Sequence, residues 1–269
     1  MIMTGRDDFE SDKCLVMATR KGLVKRTRLS EYRNMRRNGL VAIVLRDDDE
    51  LIDVKFTDNS TKLLLVTKCG QGVRFHEKDV RCTGRASMGV NGIRMSSHDE
   101  VVSMIVESEG QYMLTVSEKG LGKLTDIAEF PIHRRGGKGV RCYKIIGKTG
   151  HIVRALAVNK EDEIMMINTE GIIIRMSCSS ISVLSRVTSG VKLMNLGHNE
   201  RVVSVAKVAD VDLDDGSYEE DEDPEDGPYE EGEEPVSGSY EEDEEPEDGS
   251  YEDDEDPVNG SYSEDEDPE

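Results

Sequence analysis

The sequence predicts an all-β, propeller-like array of four roughly 50-residue, four-stranded blades followed by a disordered acidic tail. Three observations carry that prediction. A segment of apolar run, glycine turn and second apolar run recurs four times, and a period in this range marks blade repeats, because one small sheet cannot bury both of its faces alone. The apolar runs are short and bounded by Gly, Asp, Asn or Ser, while long amphipathic helical patterns are missing. Finally, the composition changes near residue 210. Residues 210–269 hold 32 of the 57 acidic side chains and none of the 34 Lys and Arg, so residues 1–209 carry a net charge of +9 and the remainder −32. A body of about 200 residues is large enough to bury a core.

Residues 1–13 form a lead-in with acids where a signal peptide would have an apolar stretch. Blades follow at 14–60, 61–109, 110–160 and 161–209. Each opens on a hairpin: LVMATRKGLVKR (15–26), LLLVTKCGQGVR (63–74), MLTVSEKGLGKL (113–124) and IMMINTEGIIIR (164–175). Gly22, Gly70, Gly120 and Gly171 sit at the tips, where positive φ closes a tight turn. A second glycine opens GLVAIVL (39–45), GVNGIRM (89–95), GVRCYKI (139–145) and GVKLMNL (190–196). Paired aliphatics close each unit at Leu51 and Ile52, Val101 and Val102, Ile152 and Val153, and Val202 and Val203. These runs suit strands of about five residues.

The four units resemble the later blades of the C-terminal domain of DNA gyrase A, a β-pinwheel, from about residue 14 to 208. The resemblance rests on ATRKGLVKRTRLSEY (18–32), RFHEKDVR (74–81) and HRRGGKGVR (133–141). The last is similar to the gyrase box, Gln-Arg-Arg-Gly-Gly-Lys-Gly, with six of seven positions shared and His133 in place of the glutamine. The resemblance implies duplex DNA binding and wrapping that supports ATP-dependent negative supercoiling by the whole type IIA topoisomerase, with the remainder of gyrase A and with gyrase B as partners. ATP and Mg2+ would belong to that assembly, and no cofactor is expected on this chain. Nothing here resembles the catalytic tyrosine region or the ATPase, so the chain is not expected to cut DNA alone. The family domain usually has six blades and this chain supplies four. The alternatives are the related C-terminal domain of topoisomerase IV, which lacks a good box, and a propeller-like protein-interaction module whose acidic tail engages basic partners.

Apart from any family, Arg134, Arg135 and Lys138 stand among Gly136, Gly137 and Gly139, a combination suited to phosphate. Glycine lets backbone N–H groups approach an anion, Arg offers a planar fork and Lys a compact charge. Arg85 and Arg186 occupy the register of Arg135, with Arg36 and Arg37 nearby in the first unit. Lys25, Arg26, Arg74, Lys123 and Arg175 recur after the hairpin glycine and are expected to extend a cationic stripe along one rim. Aromatic residues make up 4% of the chain, too few for a base-stacking platform, so contacts to the duplex backbone are expected.

The tail repeats every eleven residues, with Tyr218, Tyr229, Tyr240, Tyr251 and Tyr262 in step. Proline, glycine and like-charge repulsion predict disorder, and its charge makes it an expected intramolecular competitor for the basic rim. Five widely spaced cysteines without a Cys-x-x-Cys pair read as reduced and mostly buried. The five histidines lack metal-ligand spacing, and no metal or catalytic residues are expected. No apolar run approaches the roughly 20 residues that cross a bilayer, so the expectation is a cytoplasmic protein without a membrane partner.

Overall fold

A computed structural model describes residues 7–34 and 38–208. Arg36, Arg37 and the tail, with its expected disorder and competition, lie outside the described residues. The first unit contributes β1 (Cys14–Thr19), β2 (Leu23–Arg28) and β3 (Leu51–Thr57), and the second β4 (Lys62–Thr67), β5 (Gln71–His76), β6 (Val90–Asn91) and β7 (Val101–Val106). In the third are β8 (Tyr112–Ser117), β9 (Leu121–Asp126), β10 (Val140–Arg141) and β11 (Ile152–Val158); in the fourth β12 (Glu163–Asn168), β13 (Ile173–Ser177), β14 (Val191–Lys192) and β15 (Val202–Lys207). The described helical segments are short 3-10 turns, and none is long and apolar enough to cross a membrane. The all-β blade architecture expected from the sequence is the one observed.

The sheets are not made from one unit each. Their strand orders are β3-β1-β2-β6, β7-β4-β5-β10, β11-β8-β9-β14 and β15-β12-β13. Every unit after the first therefore hands a two-residue strand back to the blade before it. The fourth sheet has three strands among the described residues, because no described unit follows to complete it. Unit boundaries drawn on the sequence period thus cut through the sheets.

Glycine makes the hand-over possible. After its hairpin the chain runs along the outer strand of the preceding blade, in parallel bridges at Cys82 with Arg26, Ile132 with Arg74 and Val183 with Leu124. It then turns at Gly89, Gly139 or Gly190, with φ of 88°, 74° and 76°. A Cβ on Gly89 would lie 2.6 Å from the Val24 carbonyl oxygen, one on Gly190 2.5 Å from that of Gly122, and one on Gly139 would strike that of Gly72. Only a residue without a side chain brings the backbone so close to its neighbour. The delivered strand then covers a row of N–H and C=O groups that would otherwise form an open edge.

The core lies between blades. Val16, Ala18, Leu63, Leu65, Val73 and Phe75 pack between the first two, and Leu114, Val116, Ile164 and Met166 between the last two. In the second blade Leu63 and Leu65 face one neighbour while Leu64 and Val66 face the other, so β4 reads as an unbroken apolar run. In the terminal blade β12 alternates strictly between half-buried and buried residues, as one covered face requires. The inner strands β3, β7, β11 and β15 converge on an axial cavity of about 340 Å³. Across it Arg154 on β11 reaches Asp53 Oδ2 on β3 at 3.3 Å.

Candidate nucleic-acid interface

The path of the chain between hairpin and delivered strand places the cationic loops of the second, third and fourth units on the outer edge of the body. Residues 83–89, 133–139 and 184–190 hang on β2, β5 and β9 in turn, beginning with Thr83 N–H to the Arg26 carbonyl (2.9 Å), His133 N–H to Arg74 (2.7 Å) and Leu184 N–H to Leu124 (2.8 Å). Arg85, Arg135 and Arg186 occur at the same place in the three loops, as their register from the repeat glycines requires.

Within the glycine-rich loop the charged residues divide. His133, Arg134 and Lys138 are exposed, and neither Arg134 nor Lys138 forms an ion pair with a described residue. Arg135 is half-buried, with Nε donating to the Asp79 carbonyl (2.8 Å) and Nη1 to the Asn91 carbonyl (3.1 Å). Arg186 repeats the second of these bonds, from Nη1 to the Arg141 carbonyl (3.0 Å), and lies over the Phe130 ring. Both guanidiniums thus brace a delivered strand and keep only their remaining donors for a ligand. Gly136 has φ 77° and its N–H donates to the Gly92 carbonyl (2.6 Å), while the Gly137 carbonyl accepts from Arg94 N–H (2.8 Å). The glycines shape the loop by stitching it to the previous unit, and the Gly136 N–H is already committed there.

The stripe expected from Lys25, Arg26, Arg74, Lys123 and Arg175 is not a surface feature. Lys25 and Lys123 are fully buried and Arg26 and Arg74 nearly so. Lys123 Nζ donates to the carbonyls of Ser185 (2.6 Å) and Arg186 (2.7 Å), and Lys25 Nζ to those of Ala42 (2.5 Å) and Arg85. Arg74 pairs with Glu107 and donates to the Phe130 carbonyl at 2.8 Å. Arg175, though exposed, is paired with Glu163. Burial lowers both lysine ammoniums to about 8, with Arg85 adding to the effect on Lys25. The two lysines hold rim loops from beneath, while Arg26 turns to Asn59. The reason is topological: the side chain that leaves the second strand of one blade meets the loop of the next.

Sequence reasoning missed four exposed cations. Arg141 and Lys192 stand two residues after their repeat glycines, in the delivered strands, and Arg94 and Lys144 five residues after theirs. The signal was present as two offsets, each filled by a cation in two of three repeats: two residues after Gly139 and Gly190, and five after Gly89 and Gly139. Among the described residues no three His, Cys, Asp or Glu side chains are grouped to hold a metal ion. All five cysteines are free, with burial raising the thiols of Cys14 and Cys178 to about 11 and that of Cys142 to about 12.

Comparison with known proteins agrees with this geometry. The family model described as "DNA gyrase C-terminal domain, beta-propeller" matches residues 15–58, 61–106, 111–159 and 162–209, one match per unit. The DNA gyrase A protein of Ureaplasma parvum is 43% identical over 192 residues, covering 71% of this chain and 23% of that protein. That of Escherichia coli is 40% identical over 216 residues, covering 78% and 25%. The chain therefore spans about a quarter of the curated relatives it matches. Among solved structures, a DNA gyrase A C-terminal domain superposes with a TM-score of 0.68 at 28% identity, covering 75% of this chain and 68% of the other. A DNA topoisomerase IV C-terminal domain gives 0.71, also at 28% identity, covering 75% and 64%.

Proposed function

The chain belongs to the DNA gyrase C-terminal β-propeller family, and on that premise we propose that its outer rim binds duplex DNA through the sugar-phosphate backbone and bends it around the body. The observation that carries this reading is a repeated one. On consecutive units the rim loop, the delivered strand and the residues just after it present exposed cations with no described partner: Arg94 in the second unit, Arg134, Lys138, Arg141 and Lys144 in the third, Lys192 in the fourth. A curved row of that kind suits a stiff duplex. Bending a short site costs about 1–6 kcal/mol, which several charge-assisted phosphate contacts offset.

Arg134 and Lys138 are the foremost phosphate contacts in this reading. Arg135, Arg85 and Arg186 contribute charge while holding the loops, and Gly136, Gly137 and Gly139 set the loop's path. In the whole topoisomerase, with the remainder of gyrase A, with gyrase B, and with ATP and Mg2+, wrapping on this rim would present a DNA segment with the handedness that yields negative supercoils. The RRGGKG sequence at residues 134–139 favours this assignment over the topoisomerase IV domain. The acidic tail competes with DNA for the same rim, since it carries −32 on a tether beside a +9 body.

A gel-shift series on duplex DNA tests the reading. With about five phosphates neutralised, the affinity falls with a slope of about −4 to −5 against log salt. Arg134→Ala with Lys138→Ala weakens binding, and deletion of residues 210–269 tightens it at low salt. DNA left unmoved by the intact chain in dilute buffer would end the proposal. Unchanged affinity after tail deletion would remove the competition alone.

A further inference from the structure

Two of the five free cysteines face each other across a hand-over. Cys14 on β1 and Cys82, on the segment that leads into the second unit's rim loop, lie 3.7 Å apart, sulfur to sulfur, although 68 residues separate them in sequence. Their positions in the repeat are defined: Cys14 stands eight residues before Gly22, and Cys82 seven before Gly89. The same two positions hold Lys62 and Ile132 at the next hand-over and Tyr112 and Val183 at the one after. A pair of thiols therefore meets where the other hand-overs put no sulfur.

The two cysteines differ in how firmly they are held. Cys14 is buried in β1, paired with Arg28 on one side and Thr57 on the other, and its thiol donates to Asn59 Oδ1 (3.5 Å). That oxygen also accepts from Arg26 Nη1 (3.2 Å), and Arg26 Nε is buried with no hydrogen-bond partner among the described residues. A cation with a spare donor thus accompanies the sulfurs, a setting that favours thiolate. Burial and the neighbouring Cys82 nonetheless raise the Cys14 thiol to about 11, with Arg26 acting in the opposite direction. Cys14 is therefore the slower thiol to ionise and the poorer first nucleophile. Cys82 is half-buried, joined to β2 by a single bridge at Arg26, and followed closely by Gly84, where a Cβ would meet nothing within 4 Å.

We infer that Cys82 and Cys14 form a thiol–disulfide exchange site for small disulfides, at which the second unit's rim loop is covalently clamped to β1. The Cys82 thiolate attacks one sulfur of the small disulfide, forms a mixed disulfide and releases one small thiolate. Cys14 then attacks the Cys82 sulfur and releases the second small thiolate. The protons of the two protein thiols pass to the two released thiolates, so two protein thiols and one small disulfide give one internal disulfide and two small thiols. Bond formation brings the sulfurs from 3.7 Å to about 2.05 Å. The movement falls on the Cys82 segment, because β1 is paired along both edges. The bond then fixes residues 83–89 at their root, beside the Thr83 N–H that donates to the Arg26 carbonyl (2.9 Å).

Oxidised glutathione is the probe, applied to the full chain without denaturant and without DNA, so the outcome is independent of the nucleic-acid reading. After alkylation of the remaining thiols and tryptic digestion, mass spectrometry is expected to find a peptide joining Cys14 to Cys82. The number of alkylated cysteines falls by two and recovers in excess dithiothreitol. Hydrogen exchange across residues 83–89 slows in the oxidised chain. Cys14→Ser stops at a glutathione adduct on Cys82, and Cys82→Ser leaves Cys14 unmodified, both variants being checked for unchanged circular dichroism. The wild-type readouts decide the matter without them. Five alkylated cysteines at every glutathione ratio overturn the inference, as does a Cys82 adduct that Cys14 never resolves, or a Cys14–Cys82 linkage that forms only in urea. Unchanged exchange across 83–89 in the linked chain overturns the clamp.

Discussion

The glycine-rich loop of the third unit and its counterpart in the fourth follow the same path over the preceding blade, but they are held differently. Beneath the fourth-unit loop lies Lys123, whose ammonium gathers the carbonyls of Ser185 and Arg186. At the corresponding place below the third-unit loop is Val73, and the loop holds itself through Arg135 on the carbonyls of Asp79 and Asn91. Cations close together in one stretch of sequence therefore do different work. Some fix the loop, and others face solvent with their donors free. Charge counts along a repeat do not separate the two, whereas hydrogen-bond partners do.

The largest effect that would sharpen this comparison lies in the hand-over both loops share. Gly139→Ala forces a side chain against the Gly72 carbonyl at positive φ and is expected to destabilise the body by about 2–4 kcal/mol. Gly39→Ala, with equal φ but open space, costs about 1 kcal/mol. Urea unfolding of both variants measures the gap, and equal losses would break the account of the glycine.

Next comes Lys123→Met, which strands two carbonyls and lowers stability by about 1–2 kcal/mol. The pH dependence has a definite sign. Because the ammonium is lowered to about 8 in the fold and titrates near 10.4 in an unfolded chain, the unfolded state binds more protons between those values. Stability contributed by Lys123 is therefore lowest below pH 8 and rises toward about pH 10.5. The wild-type advantage over Lys123→Met should grow across that window, and taking the difference removes the opposing contribution of the buried thiols. A flat difference would show that the ammonium titrates normally.

Much of the fold was legible because each blade repeats the same constraints. The hairpin glycines, the β-branched runs and the constant offset to a second glycine are properties of neighbouring residues, and periodicity amplifies them. The hand-over was not legible. Val140 and Arg141 form a two-residue strand, too short to show alternation, and its partner Gly72 lies far back in the chain. Lys25 and Lys123 misled for a related reason: a lysine next to a hairpin reads as surface, and what buries it is a loop about sixty residues later. In the candidate site, Arg134 and Lys138 are exposed to solvent. The bracing role of Arg135 and the exposed Arg94, Arg141, Lys144 and Lys192 required the fold.

Smaller effects test the division inside the heptad. Arg135→Ala should cost about 1 kcal/mol of stability, and Arg134→Ala no more than about 0.5 kcal/mol. On DNA, Arg134→Ala should make the salt slope shallower by about 0.9, and Arg94→Ala or Lys144→Ala should do the same if the rim extends to them. A variant that weakens binding without changing the slope would act on loop shape rather than on phosphate.

The backward delivery of strands also fixes an order of events during synthesis. A blade whose hairpin and inner strand have already left the ribosome still shows a bare outer margin until the following unit emerges and supplies Val90, Val140 or Val191. Maturation thus trails elongation by roughly two-thirds of a repeat, and a chain stopped early presents an unfinished margin at its last blade, a site for misassembly with other nascent chains.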